Sequence, residues 1–168
     1  MPTLVAEDGT GLATSNSYCT LDEADTYHEG RLHVSTWTSA GDDDKETALI
    51  WATRLLDELV VWDGLKYTED QALLWPRDGC LDRGGYEILT SVVPQFVKDA
   101  TAELARYLIG ADRTAENDTR GFKYLRAGTL EMEISKYDRA GVLPDSVWNI
   151  VRFCATKAAA QTRFLKRA

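Results

Sequence analysis

The sequence has little of what builds metal sites, disulfide frameworks and membrane spans. Its 168 residues include two histidines and three cysteines, and the cysteines form no C-x-x-C pair. Such a sparse set is typical of free thiols in a reducing compartment, so we expect buried bystander cysteines. No apolar run approaches the ~20 residues of a membrane helix. The first residues carry neither a basic nor an apolar region, so we expect no signal peptide, and a protein made in a cytosol.

The patterns of common catalytic and cofactor sites are missing as well. His28 and His33 lie five residues apart, one too many for the H-E-x-x-H zinc site, whose two histidines share one helix face. No serine stands in G-x-S-x-G, and the glycines fit neither the phosphate-loop nor the dinucleotide pattern. We therefore expect a protein that is not an enzyme and that holds no metal ion and no cofactor.

Charge is spread unevenly along the chain. The net charge is −8, but residues 1–70 hold 15 acidic and 4 basic residues, whereas residues 71–168 hold 12 acidic and 15 basic residues. From Asn149 to the end there is no acidic residue. Two interpretations stay open. In the first, the charge asymmetry attracts other copies of the chain or an oppositely charged partner. In the second, the cations stand at a helix C-terminus because the backbone dipole favours them there.

Apolar spacing and capping residues predict a mainly α fold. Thr20 and Glu23 form a capping box at the start of a short helix, and Asp42 to Asp44 place negative charge in the first turn of a longer one. We expect a small bundle of about four helices with one β-hairpin and an extended N-terminal segment. The predicted elements are helices over 20–28, 42–61, 94–110 and from 144 nearly to the end, and a β-hairpin over 122–134.

These elements predict one domain with three parts. Residues 1–110 form a helical core that contains an irregular loop over 62–90, with a helical turn expected at 68–71. A loop of this length in a compact domain is usually functional or folded in its own right. Residues 111–120 are a polar linker, and residues 121–168 hold the hairpin and a long C-terminal helix.

Nucleic-acid binding leaves two alternatives for one loop of the chain. With Trp75 and Tyr86 beside them, Arg77, Arg83 and the basic tail form a local patch with stacking aromatics. Alternatively, Trp75 belongs to the core and the arginines are solvated. The net charge of −8 favours the second alternative, because neutralisation of phosphates supplies most of the affinity for nucleic acids.

A series of short motifs resembles the opening of a tailed-phage protein family. The likeness covers residues 4–109, with the hairpin as a weaker match. The family is often labelled DnaT-like single-stranded-DNA-binding, whereas its place among virion-assembly genes implies head–tail adaptors. The motifs that carry the resemblance are V-A-E-D-G-T-G at 5–11, N-S-Y at 16–18, E-A-D-T-Y-H at 23–28, Trp37, the helix over 45–57, Q-A-L-L-W-P-R at 71–77 and the stretch over 93–105.

The resemblance implies a structural protein of the virion neck that joins capsid to tail. Its implied partners are the portal protein, the tail or next neck protein, and about twelve copies of itself in a ring beneath the portal. Packaged DNA would pass through that ring without specific binding, and no membrane is involved. The alternative implied function is DnaT-like binding of single-stranded DNA.

Residues expected to contact partners fall into two sets. For docking on the portal, we expect the last helix, from about Ala155, to leave the subunit body with a basic and apolar end: Arg163, Phe164, Leu165, Lys166 and Arg167. The alternative is a helix that folds back on its own domain. For contacts between neighbouring subunits, we expect Arg77, Arg83, Tyr86, Tyr124 and Arg126.

Overall fold

The computed structural model describes residues 3–115, 124–127, 130–133 and 141–158. The helices are α1 Leu21–Glu29, α2 Ser35–Thr38, α3 Asp42–Leu59, α4 Gln95–Gly110 and α5 Asp145–Val151. The strands are β1 Val60–Trp62, β2 Leu65–Lys66, β3 Arg77–Asp78, β4 Tyr124–Ala127, β5 Leu130–Glu133 and β6 Ala155–Lys157. Within these ranges the strands pair antiparallel as β1–β6, β2–β3 and β4–β5. The predicted mainly α fold is confirmed.

Helix α4 is the central element and contacts α1, α2, α3 and α5. Its buried residues lie on more than one side of the helix, and apart from Glu103 and Leu104 they are small: Val97, Ala100, Thr101, Ala102 and Ala105. The separation of packed helices depends on the side chains between them, so these small residues let several neighbours approach α4 closely. The largest contact is with α3, which contributes a stripe that includes Leu49, Leu55 and Leu56.

The helix starts agree with the sequence prediction. The Thr20 hydroxyl accepts a hydrogen bond from the Glu23 amide at 3.2 Å, and the Glu23 carboxylate accepts one from the Thr20 amide at 2.9 Å. The predicted capping box is therefore confirmed. Asp42, Asp43 and Asp44 occupy the first turn of α3, where they stabilise the positive end of the helix dipole.

The chain after α5 differs from the prediction. Helix α5 ends at Val151, and β6 pairs with β1 so that Ala155 lies opposite Trp62. The predicted helix over 152–158 is therefore wrong. Strand β1 begins with two valines, which favour extended structure, and pairing with it satisfies the backbone of β6. Helical periodicity alone could not include this partner, which lies far away in the sequence. The remainder of the predicted helix, 159–168, lies outside the described residues.

The loop between β1 and α4 has strand pairs instead of the helical turn expected at 68–71. The buried amide side chain of Gln71 accepts a hydrogen bond from the Thr68 amide at 2.8 Å and donates to the carbonyls of Leu73 and Pro76 at 2.9 and 3.0 Å. These bonds give the backbone an alternative to helical pairing. The predicted β-hairpin is confirmed as β4 and β5, although its turn lies outside the described residues.

A buried polar contact joins three separate parts of the chain. The Tyr18 hydroxyl donates a hydrogen bond to the Asp57 carboxylate on α3. The same carboxylate accepts a bond from the Leu74 amide at 3.1 Å, and the Tyr18 oxygen accepts from the Leu74 and Trp75 amides. Burial raises the pKa of Asp57 to about 6, although its hydrogen bonds act in the opposite direction.

This pKa predicts a specific pH dependence of stability. Because the pKa of Asp57 is higher in the folded chain than its usual 3.8, the contribution of this group is fully present below about pH 4 and is lost as pH rises through 6. The Asp57→Asn variant has no carboxyl group to ionise at this position, so it does not lose this stability as the pH rises. Its stability relative to the native chain should therefore rise by up to about 3 kcal/mol between pH 4 and pH 7.5, as measured by urea unfolding.

Glu58→Gln is the matched control, since it removes a carboxylate from the next position on α3, where the side chain is exposed. Its free energy of unfolding should change with pH in the same way as that of the native chain. If the free energies of unfolding of Asp57→Asn and the native chain changed with pH in parallel, the pKa of Asp57 would not be raised by folding and the prediction would be wrong.

Candidate nucleic-acid interface

Two residues of the predicted patch lie inside the domain. Trp75 is fully buried, so the alternative that placed it in the core is correct. Arg77 is only 7% exposed, and its guanidinium donates to the carbonyls of Asp63 and Gly64, both at 2.7 Å, and to that of Leu74 at 2.9 Å. Arg77 therefore holds the loop together and presents little surface to a partner.

The other two residues of the predicted patch stand at the surface, on a short turn after β3. Leu81 and Glu87 form an antiparallel bridge, and the Asp82 carboxylate accepts bonds from the Gly84 and Tyr86 amides inside the turn. Tyr86 is 76% exposed. The turn therefore exposes the Tyr86 ring to solvent, three residues after Arg83.

Arg83 binds the C-terminal end of α5. One of its terminal nitrogens donates to the carbonyls of Asn149 and Ile150 at 3.0 and 3.1 Å, and its guanidinium lies 4.9 Å from the ring centre of Phe153. The last carbonyls of a helix have no partner inside the helix, and a cation beside them is favoured by the helix dipole. The neutral carbonyls leave the positive charge of Arg83 uncompensated.

Helix α5 and β6 extend this surface with further cations and an aromatic ring. The Lys157 ammonium lies 5.1 Å from the ring centre of Trp148, which is a cation–π contact. Arg152 is exposed one helical turn after Trp148. We call Arg83, Tyr86, Trp148, Arg152 and Lys157 the basic face. Within the part of the chain that the structure describes, no carboxylate lies within 4.0 Å of its three cations.

Many other cations of the described chain are bound to carboxylates. These ion pairs are Arg31 and Arg106 with Glu103, Lys45 with Asp25, Arg54 with Glu58, and Lys98 with Glu23. Burial opposes the charged form of Arg106, but the hydrogen bond and charge attraction to the buried Glu103, together with Tyr107, raise its pKa. Paired charges attract a phosphate less than unpaired ones, so the basic face is the stronger candidate for binding an anionic polymer.

The cysteines offer no reactive centre. Cys19, Cys80 and Cys154 are all buried and free, as expected. Burial raises the pKa of Cys19 and of Cys154 to about 12, and a thiol of such high pKa is a poor nucleophile. Across the described residues, no three potential metal ligands cluster. No helix in this part of the chain is long and apolar enough to cross a membrane.

The motifs that carry the family resemblance have structural roles. In the E-D-G-T-G motif, the buried Glu7 carboxylate accepts bonds from the Gly9, Gly11 and Leu12 amides at 3.1, 2.8 and 2.9 Å, and from the Ser15 hydroxyl at 2.8 Å. A Cβ atom at Gly9 would come within 2.2 Å of the Ser91 carbonyl oxygen, in backbone with φ +100°. Tyr18 of N-S-Y and Arg77 of W-P-R are likewise bound inside the domain. These motifs therefore identify a fold rather than a ligand site.

The sequence prediction missed Trp148, Arg152 and Lys157 as site residues. It placed them along one long helix, whereas the end of α5 and the turn into β6 bring them together. The available signal was the absence of acidic residues from Asn149 onwards. Among the other predicted contacts, Tyr124 and Arg126 belong to β4. Arg163, Phe164, Leu165, Lys166 and Arg167 lie outside the described residues.

The structure thus defines a small, mainly α protein with a basic and aromatic surface. The chain belongs to the family described as "Putative DnaT-like ssDNA binding protein", whose model matches residues 2–167. No curated protein and no solved structure matches the chain.

This family membership corrects the predicted function. The family description names single-stranded-DNA binding, which was the alternative, and nothing in the match indicates a virion protein. The predicted head–tail adaptor role is therefore overturned. The portal and tail partners, the ring of about twelve copies and the virion location followed from that role and stay untested predictions.

Arg83→Ala should destabilise the fold modestly. The change removes two hydrogen bonds to the end of α5 and the contact with Phe153. Because the site is exposed, we expect a loss of about 1 kcal/mol, or about 2–4 °C in melting temperature, measured by calorimetry. Arg152→Ala is the control, and its melting temperature should stay near that of the native chain. Equal melting of all three proteins would contradict the capping role.

Glu7→Gln should destabilise the fold more strongly. The amide keeps the shape of the side chain but turns one accepting oxygen into a donor that faces other donors. We expect a loss of about 2–3 kcal/mol in urea unfolding. Asp8→Asn, whose side chain bonds only Thr10 in an exposed turn, should leave the unfolding midpoint almost unchanged. A similar midpoint for both variants would mean that the buried carboxylate is dispensable.

Proposed function

We propose that this protein binds single-stranded DNA through the basic face. The observation that carries the proposal is the grouping of Arg83, Arg152 and Lys157, which form no ion pair within the described residues, with the exposed ring of Tyr86 and the half-buried ring of Trp148. The family description supports the same function. The proposed activity is binding alone, without a catalytic step.

Each type of residue on the face has a distinct task in this proposal. The three cations bind successive phosphates, since contacts to the backbone supply affinity without sequence preference. Tyr86 offers an exposed flat ring on which an unpaired base stacks, whereas the half-buried Trp148 ring positions the Lys157 ammonium. Because stacking requires bases that are free of a duplex, the face favours single strands over double strands.

The helices and the acidic surface around α3 confine the proposed DNA binding to the basic face. We further propose that α1, α3, α4 and α5 act as a small bundle that holds the face in place. The acidic surface around α3 repels a second stretch of DNA. With three cations, log K should fall against log salt with a slope of about −2, since single strands lose about 0.7 per phosphate contact.

Fluorescence anisotropy with a labelled oligo-dT and a duplex of equal length tests this proposal. The single strand should bind more tightly, with the shallow salt slope given above. Tyr86→Ala should weaken binding about tenfold, since one stacked base contributes ~1–3 kcal/mol. The pair Arg152→Ala and Lys157→Ala should also reduce the salt slope by about 1.4.

The control is Arg54→Ala, which removes a cation that also stacks on an aromatic ring. Arg54 lies 5.2 Å from the ring centre of Trp51, but it is paired with Glu58 on the acidic α3. Its loss should leave affinity unchanged. Absence of binding to the single strand at low salt, or equal effects of the basic-face and Arg54 variants, would refute the proposal.

A further inference from the structure

A second surface of the domain exposes apolar side chains and borders the basic face along β6, where Val60 of its wall pairs with Lys157. It is a groove of about 550 Å³ between the C-terminal end of α3, β1 and β2. Its walls include Val61 and Leu65, which are 54% and 76% exposed, and the half-buried Leu74. This volume lies in the ~300–1,000 Å³ range of clefts that enclose a ligand, so the groove can receive two large side chains.

The groove carries acid at one end and has few available cations. Asp57 and Glu58 line it; Asp57 is bound to Tyr18 inside the domain, whereas Glu58 is half exposed and pairs with Arg54 through Oε1 alone. The two basic residues in its wall are engaged elsewhere, because Lys66 donates to the Gln71 carbonyl at 2.8 Å and Arg77 is turned inwards. An occupant with apolar side chains flanked by positive charge would complement this surface.

The chain itself supplies such a sequence at the edge of the groove. Ala158 forms part of the wall, and its amide donates to the Leu59 carbonyl at 2.9 Å. The ten residues that follow contain one adjacent pair of large apolar residues, Phe164 and Leu165, flanked by Arg163, Lys166 and Arg167, and no acidic residue. Six residues of extended chain reach about 20 Å, so the pair is within reach of every wall of the groove.

We propose that the groove binds the C-terminal segment of the same chain, with Phe164 and Leu165 as the apolar anchors. The cations beside them face the acidic end of the groove. Continuity with Ala158 favours the chain's own segment over one from a separate protein, because the effective concentration of a tethered segment is high. This proposal does not depend on DNA binding, since it uses neither Tyr86 nor Trp148.

Limited digestion with trypsin, followed by mass spectrometry, tests the proposal on the full chain. Cleavage after Arg163 requires the segment to leave the groove, so its rate follows the fraction of undocked chains. The double variant Val61→Ser with Leu65→Ser removes apolar wall and should accelerate this cleavage about tenfold. Phe164→Ser changes the segment instead of the groove and should give a similar acceleration.

Leu32→Ser is the matched control, since Leu32 is 79% exposed after α1 and does not line the groove. It should leave the cleavage rate unchanged. Equal rates after Arg163 in the native chain and in all variants would overturn the proposal. Protection that weakens on dilution would also overturn it, because the occupant would then come from a second copy.

Discussion

The buried contact between the Tyr18 hydroxyl and the Asp57 carboxylate is the interaction on which the arrangement of the domain depends. It joins the extended N-terminal segment to α3, and the amides of Leu74 and Trp75 bond the same two groups. Trp75 is thereby held in the core, next to the Trp62 ring at 5.6 Å between centres. An irregular loop needs such fixed points, because its backbone polar groups lack the regular partners of helices and sheets.

The polar residues of the interior and those of the surface serve different purposes. The side chains of Glu7, Gln71 and Arg77 form hydrogen bonds with backbone groups of turns and loops. A buried backbone group without such a partner would destabilise the fold by ~1–3 kcal/mol. Glu103 similarly organises Arg31 and Arg106 around α4. Among the residues that the structure describes, the cations of the basic face have no such internal carboxylate, so their charge acts outwards. This division explains how an acidic protein can present one positive surface.

The candidate site was predictable in part, for reasons that differ between residues. Arg83 and Tyr86 flank Gly84 and Gly85, and a turn of this composition lies at the surface. Arg77 stands in the same loop, yet it is buried, because the carbonyls of three residues far from it or across the turn converge on its guanidinium. No local pattern encodes that convergence. Trp148 and Lys157 meet only because α5 stops at Val151 and the chain turns back to pair with β1.

The sequence by itself determined where α1, α3, α4 and α5 begin and that a hairpin follows α4, because periodicity, caps and turn residues act over a few neighbouring positions. The capping box at Thr20 and the acidic first turn of α3 are examples. It also determined the charge asymmetry, which is a property of composition. Tertiary structure alone decided that residues 155–157 form a strand, that Arg77 is internal, and which of the cations in the described residues form no ion pair. Each of these outcomes depends on partners tens of residues away, and the free energy of those contacts outweighs local preference.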